Sequence, residues 1–95
     1  MQFALEVLRL VDAFPRSVAA DVIGHQVARS ATSVASNYRG TCNARYRAEF
    51  IAKLGIVVEE SDESEFWLAI ARRKQLVDTN EAERLRREAS ELRAI

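Results

Sequence analysis

Apolar side chains recur at three- and four-residue spacing along most of the chain, and this helical period constrains the fold more than any other feature. Phe14-Pro15 ends the first periodic segment, because proline disfavours helical geometry at the residue before it. With 3 Gly and 1 Pro in 95 residues, turn formers are too scarce for a sandwich of short strands. The sequence predicts an all-α protein with one domain, residues 1–95, because this length supplies one hydrophobic core.

Capping signals divide the periodic pattern into four helices. The second helix is predicted from Val18 to about Cys42 with Ser17 as its N-cap, and the third continues to about Gln75. Asn80, with Glu83 three residues later, has the capping-box spacing that predicts the start of the fourth. Short connections make consecutive helices neighbours, so we expect an antiparallel up-down four-helix bundle. The apolar stripes predicted to face its core are, helix by helix, Phe3, Val7, Leu10/Val11 and Phe14; Ile23, Val27, Ala31, Val34 and Tyr38; Phe50, Leu54, Val57, Ser61, Ser64 and Leu68; and Ala82, Leu85, Ala89 and Leu92.

Charge and cysteine content exclude several classes of protein. The 14 Lys and Arg balance 14 Asp and Glu, whereas a dedicated nucleic-acid binder is usually basic overall. Cys42 is the single cysteine, so no intramolecular disulfide forms, and no apolar run approaches the ~20 residues of a membrane span. The N-terminal segment carries Glu6 and Arg9 within its apolar pattern, unlike a secretory signal. We expect a cytoplasmic protein with no membrane contact.

The middle of the second helix is unusual in its small and hydroxyl-bearing side chains. Gly24, Ala28, Ala31 and Ala35 follow one side of the apolar stripe, which predicts close approach of a neighbouring helix. A polar stripe on the other side has two interpretations: its side chains hydrogen-bond to another helix or to their own backbone, or they form the site of a small enzyme. Its members are Gln26, Ser30, Ser33 and Asn37.

Groupings typical of catalysis or metal binding are missing from the sequence. His25 is the only histidine, so paired Glu-x-x-His metal motifs cannot be formed. The acidic run from Glu59 to Glu65 does not converge on one face of a helix, and Cys42 has no identifiable base beside it. We therefore predict no catalytic residue, no metal and no cofactor.

Arginines and tyrosines cluster around the second turn of the predicted bundle. Arginine beside aromatic rings is the combination that contacts phosphates and stacks on bases. The alternative is that these arginines pair with Glu49 and other nearby carboxylates. The candidate nucleic-acid contacts are Tyr38, Arg39, Arg45, Tyr46 and Arg47.

The chain contains a distinctive pattern of residues: Arg29, Ala31, Ser33, Val34 and Asn37, then Arg45 and Arg47, then Glu49-Phe50-Ile51. In this pattern it resembles the 23S rRNA intervening-sequence protein family, also called the four-helix bundle protein family, most strongly from Arg29 to Leu68. The resemblance spans about Phe3 to Leu92; Tyr46 replaces the family's usual N-cap serine, and Gly40-Thr41 replaces an acidic residue and glycine. It implies a four-helix bundle that assembles as a homo-oligomer, typically of five copies. Relatives include a basic accessory protein of diversity-generating retroelements that binds nucleic acid.

The third helix carries more apolar surface than one bundle core uses. Ile56 and Trp67 are eleven residues apart and lie within ~20° of each other, nearly opposite the core stripe. Glu60 and Glu63 lie between them, where we expect pairing with arginines of a neighbouring subunit. The predicted oligomer interface consists of Ile56, Glu60, Glu63, Trp67 and Ile70.

The packing signals and the absence of a catalytic group predict a non-catalytic oligomeric scaffold or adaptor. Its expected partners are copies of itself, in a ring of five by the resemblance, and another macromolecule. One alternative is an RNA- or DNA-binding accessory module that uses a ring of arginines. A further alternative is a small enzyme that uses Ser33 and Asn37.

Overall fold

The computed structural model describes residues 2–94, which form four helices. They are α1 Gln2–Asp12, α2 Val18–Cys42, α3 Arg47–Arg73 and α4 Thr79–Arg93. Each helix packs against the next, and α1 also contacts α4, where Arg84 Nη2 lies 3.0 Å from Glu6 Oε2. The predicted four-helix bundle is confirmed.

Local capping determines where α2 and α4 begin. The Ser17 hydroxyl accepts a hydrogen bond from the Ala20 backbone N–H at 3.0 Å, so the predicted N-cap of α2 is confirmed. The predicted cap of α4 is wrong: Asp78, not Asn80, occupies the N-cap, and its Oδ1 accepts from the backbone N–H of Asn80 at 2.8 Å. Both residue types cap well, and Asp78 lies where the first helical hydrogen bond of α4 begins, from Ala82 N to Asp78 O. Glu83 pairs with arginines instead of closing a capping box.

The ends of α3 lack the usual sequence signals. Tyr46 occupies its N-cap without a side-chain hydrogen bond. At the other end the helix stops at Arg73, two residues before the predicted Gln75, because Gln75 adopts a left-handed conformation with φ 61°. The Leu76 N–H then bonds to Ala71 O at 3.0 Å, and the Gln75 N–H to Arg72 O at 3.0 Å. This pair of bonds is a Schellman motif that usually has glycine in the left-handed position.

All four helices contribute to the hydrophobic core. Gly24 lets α1 approach α2 closely: a Cβ there would lie 3.0 Å from Val11 Cγ1, which confirms the predicted role of this small residue. The core is extended beside the α1–α2 and α3–α4 connections by Ala20, Ile23, Ala71 and Leu76. Its central cluster consists of Val7, Leu10, Val27, Ala31, Leu68 and Leu85.

The α2–α3 hairpin extends beyond the part of the bundle that α1 and α4 cover. At ~1.5 Å per residue, α3 is about 40 Å long and α4 about 22 Å, and Arg93 near the end of α4 lies beside Asp62 of α3. Two predicted core residues therefore lie outside the core: Phe50 is 44% exposed and Tyr38 is 47% exposed. Their helical phase is correct, but within residues 2–94 no third helix covers them.

Candidate functional site

Serine side chains hold the middle of α2 and α3 together. Ser30, Ser61 and Ser64 are fully buried, and the hydroxyls of Ser30 and Ser64 lie 3.0 Å apart across the two helices. Each of these two hydroxyls also lies within hydrogen-bond distance of a carbonyl in its own helix, Val27 O or Glu60 O. Among the described residues, Ser61 Oγ has no hydrogen-bond partner. Small hydroxyl side chains at this level let the helix axes approach while bonding one another.

The rest of the predicted polar stripe on α2 bonds within its own helix. Asn37 Nδ2 donates to Ser33 O at 2.9 Å and to Ser33 Oγ at 3.2 Å. Gln26 accepts a long hydrogen bond from Arg29 Nε at 3.5 Å. Of the four stripe residues only Ser30 bonds to another helix within residues 2–94. The structure thus brings Ser33 and Asn37 together, and the two side chains hydrogen-bond to each other.

Three side chains of the predicted oligomer interface belong to a cluster inside the chain. A guanidinium nitrogen of Arg29 donates to Glu63 Oε1, and Arg29 Nη1 lies 3.5 Å from Glu60 Oε2. Trp67 Nε1 also donates to Glu63 Oε1, at 3.4 Å. We expected both glutamates to pair with arginines of a neighbouring subunit. That expectation is corrected, because Arg29 on α2 of the same chain contacts both.

This cluster separates the pKa values of its two carboxyl groups. The hydrogen bond from Arg29 lowers the pKa of Glu63. Burial raises the pKa of Glu60, because its carboxylate loses water that the 3.5 Å contact with Arg29 does not replace. Glu63 is therefore the member of the pair that holds its negative charge more firmly.

Trp67 and Ile70 do not stand on the outside of the bundle as predicted. Both are partly buried and pack against core residues, because α2 crosses α3 beside them and covers that flank. Ile56 remains 38% exposed. Phe66, another large apolar side chain on the outside of α3, is 53% exposed, packs edge-on against Trp67 and was missed from the sequence. Its position on the helix, opposite the buried stripe of Val57 and Leu68, would have predicted this exposure from the sequence.

The predicted basic cluster lies at the free end of the α2–α3 hairpin. Arg39, Arg45 and Arg47 are exposed, as is Tyr46 at 64%. Within residues 2–94 none of the three arginines forms an ion pair, so the alternative of pairing with Glu49 is not realised there. The arrangement presents three positive charges beside an aromatic ring.

Other residues of chemical interest lie apart from one another. His25 and Cys42 are exposed, on the side of α2 and at its end. Across residues 2–94, no three His, Cys, Asp or Glu side chains are grouped to hold a metal ion. A groove of about 470 Å³ runs between α1 and α4, lined in part by Glu6, Arg9 and Arg84, away from the polar stripe. None of the helices within the described range has the length and apolar character needed to cross a membrane.

Comparison with known proteins agrees with this architecture. The family model for the 23S rRNA-intervening sequence protein matches residues 1–95. The chain belongs to this family. A crystal structure of an S23 ribosomal protein family member with unknown function, from Bacteroides thetaiotaomicron VPI-5482, is similar, with a TM-score of 0.87 and 29% identity. That similarity covers 98% of this chain and 86% of the other, so the intervening-sequence family fold applies to nearly all of it. No curated protein matches the chain.

Proposed function

We propose that this family member is a non-catalytic, homo-oligomeric scaffold or adaptor that acts by binding another macromolecule. The observation that carries the proposal is the exposure of several large apolar side chains on α3, among them Ile51, Ile56 and Phe66. Several exposed side chains of this kind on one helix are a liability on an isolated small protein and are typical of an interface. The predicted interface is thereby shifted toward Phe66 and away from Trp67.

The polar stripe supports the non-catalytic part of the proposal. Ser33 and Asn37 use their polar atoms on each other and on the α2 backbone, and neither has a histidine or carboxylate bonded to it among residues 2–94. A nucleophilic serine needs such a base. The single cysteine, which excludes an internal disulfide, supports a cytoplasmic location.

Sedimentation at micromolar concentration tests the assembly. We expect a mass that is a multiple of 10.7 kDa, five copies if the resemblance holds for this member. Phe66→Ser should lower the mass, because it removes apolar surface from the proposed interface. Leu5→Ser is the matched control, since Leu5 is 43% exposed on α1 and lies outside that interface. A monomeric wild type contradicts the proposal.

A second candidate function, binding of RNA or DNA, is favoured by the unpaired arginines beside Tyr46. Phosphate contacts weaken steeply with salt. We expect any gel retardation to fall between two salt concentrations and to disappear in Arg45→Ala/Arg47→Ala. The control is Arg16→Ala/Arg73→Ala, which removes two exposed arginines away from the hairpin end. Absence of retardation at low salt removes this candidate.

A further inference from the structure

The chain carries two exposed surfaces of opposite charge. The first, the basic tip, consists of Arg39, Arg45, Tyr46 and Arg47 at the free end of the α2–α3 hairpin. The hairpin extends past α1 and α4, so within residues 2–94 no other element covers the tip. Three guanidinium groups there have no carboxylate partner within the same described range, and Tyr46 adds an exposed ring.

The second surface is the outer face of α3, which consists of Gly55, Ile56, Glu59, Asp62 and Phe66. Four of them recur at a helical spacing opposite the buried stripe of Val57 and Leu68, namely Gly55, Glu59, Asp62 and Phe66. Ile56 lies about 100° from Gly55, on one flank of this face, and all five residues are exposed. Glu59 forms no ion pair in the described part of the chain, and Asp62 has only a 3.5 Å contact with Arg93. Apolar side chains thus stand here among carboxylates that remain free to accept positive charge.

The glycine in this face, Gly55, is not required by close packing among the described residues. A Cβ at Gly55 would meet no atom within 4 Å, although glycine in a helix interior costs ~1 kcal/mol relative to alanine. Gly24, in contrast, permits the close approach of α1. Gly55 therefore leaves this part of the outer face of α3 without a side chain.

We propose that the basic tip of one copy packs against the outer face of α3 of the next copy. The proposal rests on the self-association proposed above and names the two surfaces that meet. Charge complementarity favours a second copy of the chain as the partner, because the basic tip and the acidic outer face of α3 are on the same chain and have opposite charge. Tip against tip, or face against face, would bring like charges together.

Arg47 of the tip cannot bind Asp62 of its own chain. The two residues lie on the same helix, fifteen residues and so about 22 Å apart at ~1.5 Å per residue. A contact between two different surfaces is heterologous and closes into a ring when the rotation between copies permits. Tyr46 is the apolar side chain of the tip, and Phe66, one turn from Asp62, is the apolar side chain of the face that it meets.

Charge reversal tests the contact. In the tip variant Arg45→Glu/Arg47→Glu and the face variant Glu59→Arg/Asp62→Arg, like charges meet, and we expect the dissociation constant to rise at least about tenfold in each. Mixing the two variants should restore association, because the acidic tip of one meets the basic face of the other. Arg9→Glu/Arg16→Glu is the control for net charge, and thermal melts verify that each variant folds.

The possible outcomes separate this contact from self-association itself. Wild-type mass in both reversal variants, or loss of association without recovery on mixing, overturns the contact and leaves the oligomer standing. A wild-type monomer overturns both. A tip variant that keeps the wild-type mass but loses gel retardation assigns the arginines to nucleic acid and also overturns the contact.

Discussion

At the scale of single residues, the chain uses several side chains in positions that other residue types fill more easily. Gln75 holds a left-handed conformation usually given to glycine, and Tyr46 starts α3 without capping it. Ser61 buries a hydroxyl that has no partner within residues 2–94. Each of these departures costs stability locally, whereas packing of the surrounding helices keeps the conformation in place.

The left-handed residue at the end of α3 gives a residue-scale prediction. Gln75→Gly should raise the free energy of unfolding by about 0.5–1 kcal/mol, because glycine avoids the Cβ clash of the left-handed region. The two hydrogen bonds of the Schellman motif use backbone atoms only and remain. Urea unfolding measures the change, with Gln75→Ala as the control that retains a Cβ. A Gln75→Gly variant less stable than Gln75→Ala would contradict this explanation.

At the scale of helices, relative length decides which faces are covered. α2 and α3 are long, and α1 and α4 cover only part of them. The covered part contains the core and its serine contacts, whereas the uncovered part exposes Tyr38, Phe50 and the arginines. α2 and α3 thus contribute to the core of the bundle and also carry its candidate binding surface.

Two glycines in equivalent helical conformations should respond differently to alanine. Gly55→Ala should raise the free energy of unfolding by about 0.5–1 kcal/mol, because it improves helix propensity where no atom is displaced. Gly24→Ala should be about 1–3 kcal/mol less stable than Gly55→Ala, because its Cβ would lie 3.0 Å from Val11 and 3.4 Å from Phe14. Urea unfolding at one protein concentration compares them. Equal stability of the two variants would show that α1 does not approach α2 this closely.

At the scale of the whole molecule, ion pairs connect neighbouring helices. Glu83 of α4 lies 2.7 Å from guanidinium nitrogens of both Arg72 in α3 and Arg86 in α4. The hydrogen bond from Arg86 lowers the pKa of Glu83 to about 2 from its ordinary 4.5. The stabilisation from this carboxylate is therefore complete above pH 4.5 and is lost as the pH falls toward 2, since the folded state holds the ionised form.

Glu83→Gln should accordingly lower the thermal midpoint at pH 7 and have little effect at pH 2. Melting curves of wild type and variant at pH 7, 4 and 2 measure the difference. Glu91→Gln is the matched control, because Glu91 is exposed on the same helix and forms no ion pair among residues 2–94. A difference between wild type and Glu83→Gln that stays constant from pH 7 to pH 2 would exclude ionisation of this carboxyl as the cause.

The sequence by itself determined the four helices, the Ser17 cap, the approximate bounds of α2 and the family. These features depend on residues within a few positions of one another, since helical periodicity and capping are local. The close packing at Gly24 was also predictable, because a glycine beside the apolar stripe of a helix permits close approach of whichever helix packs there.

Only the tertiary structure decided which side chains meet. Arg29 contacts Glu60 and Glu63 through the register between α2 and α3, over more than thirty positions of the chain, and no local pattern specifies that register. Trp67 is partly buried because α2 packs beside it. Phe50 is exposed because α4 ends at the level of Asp62 and does not reach it. Helical phase gives the direction of a side chain from its own axis, whereas burial depends on whether another helix lies in that direction.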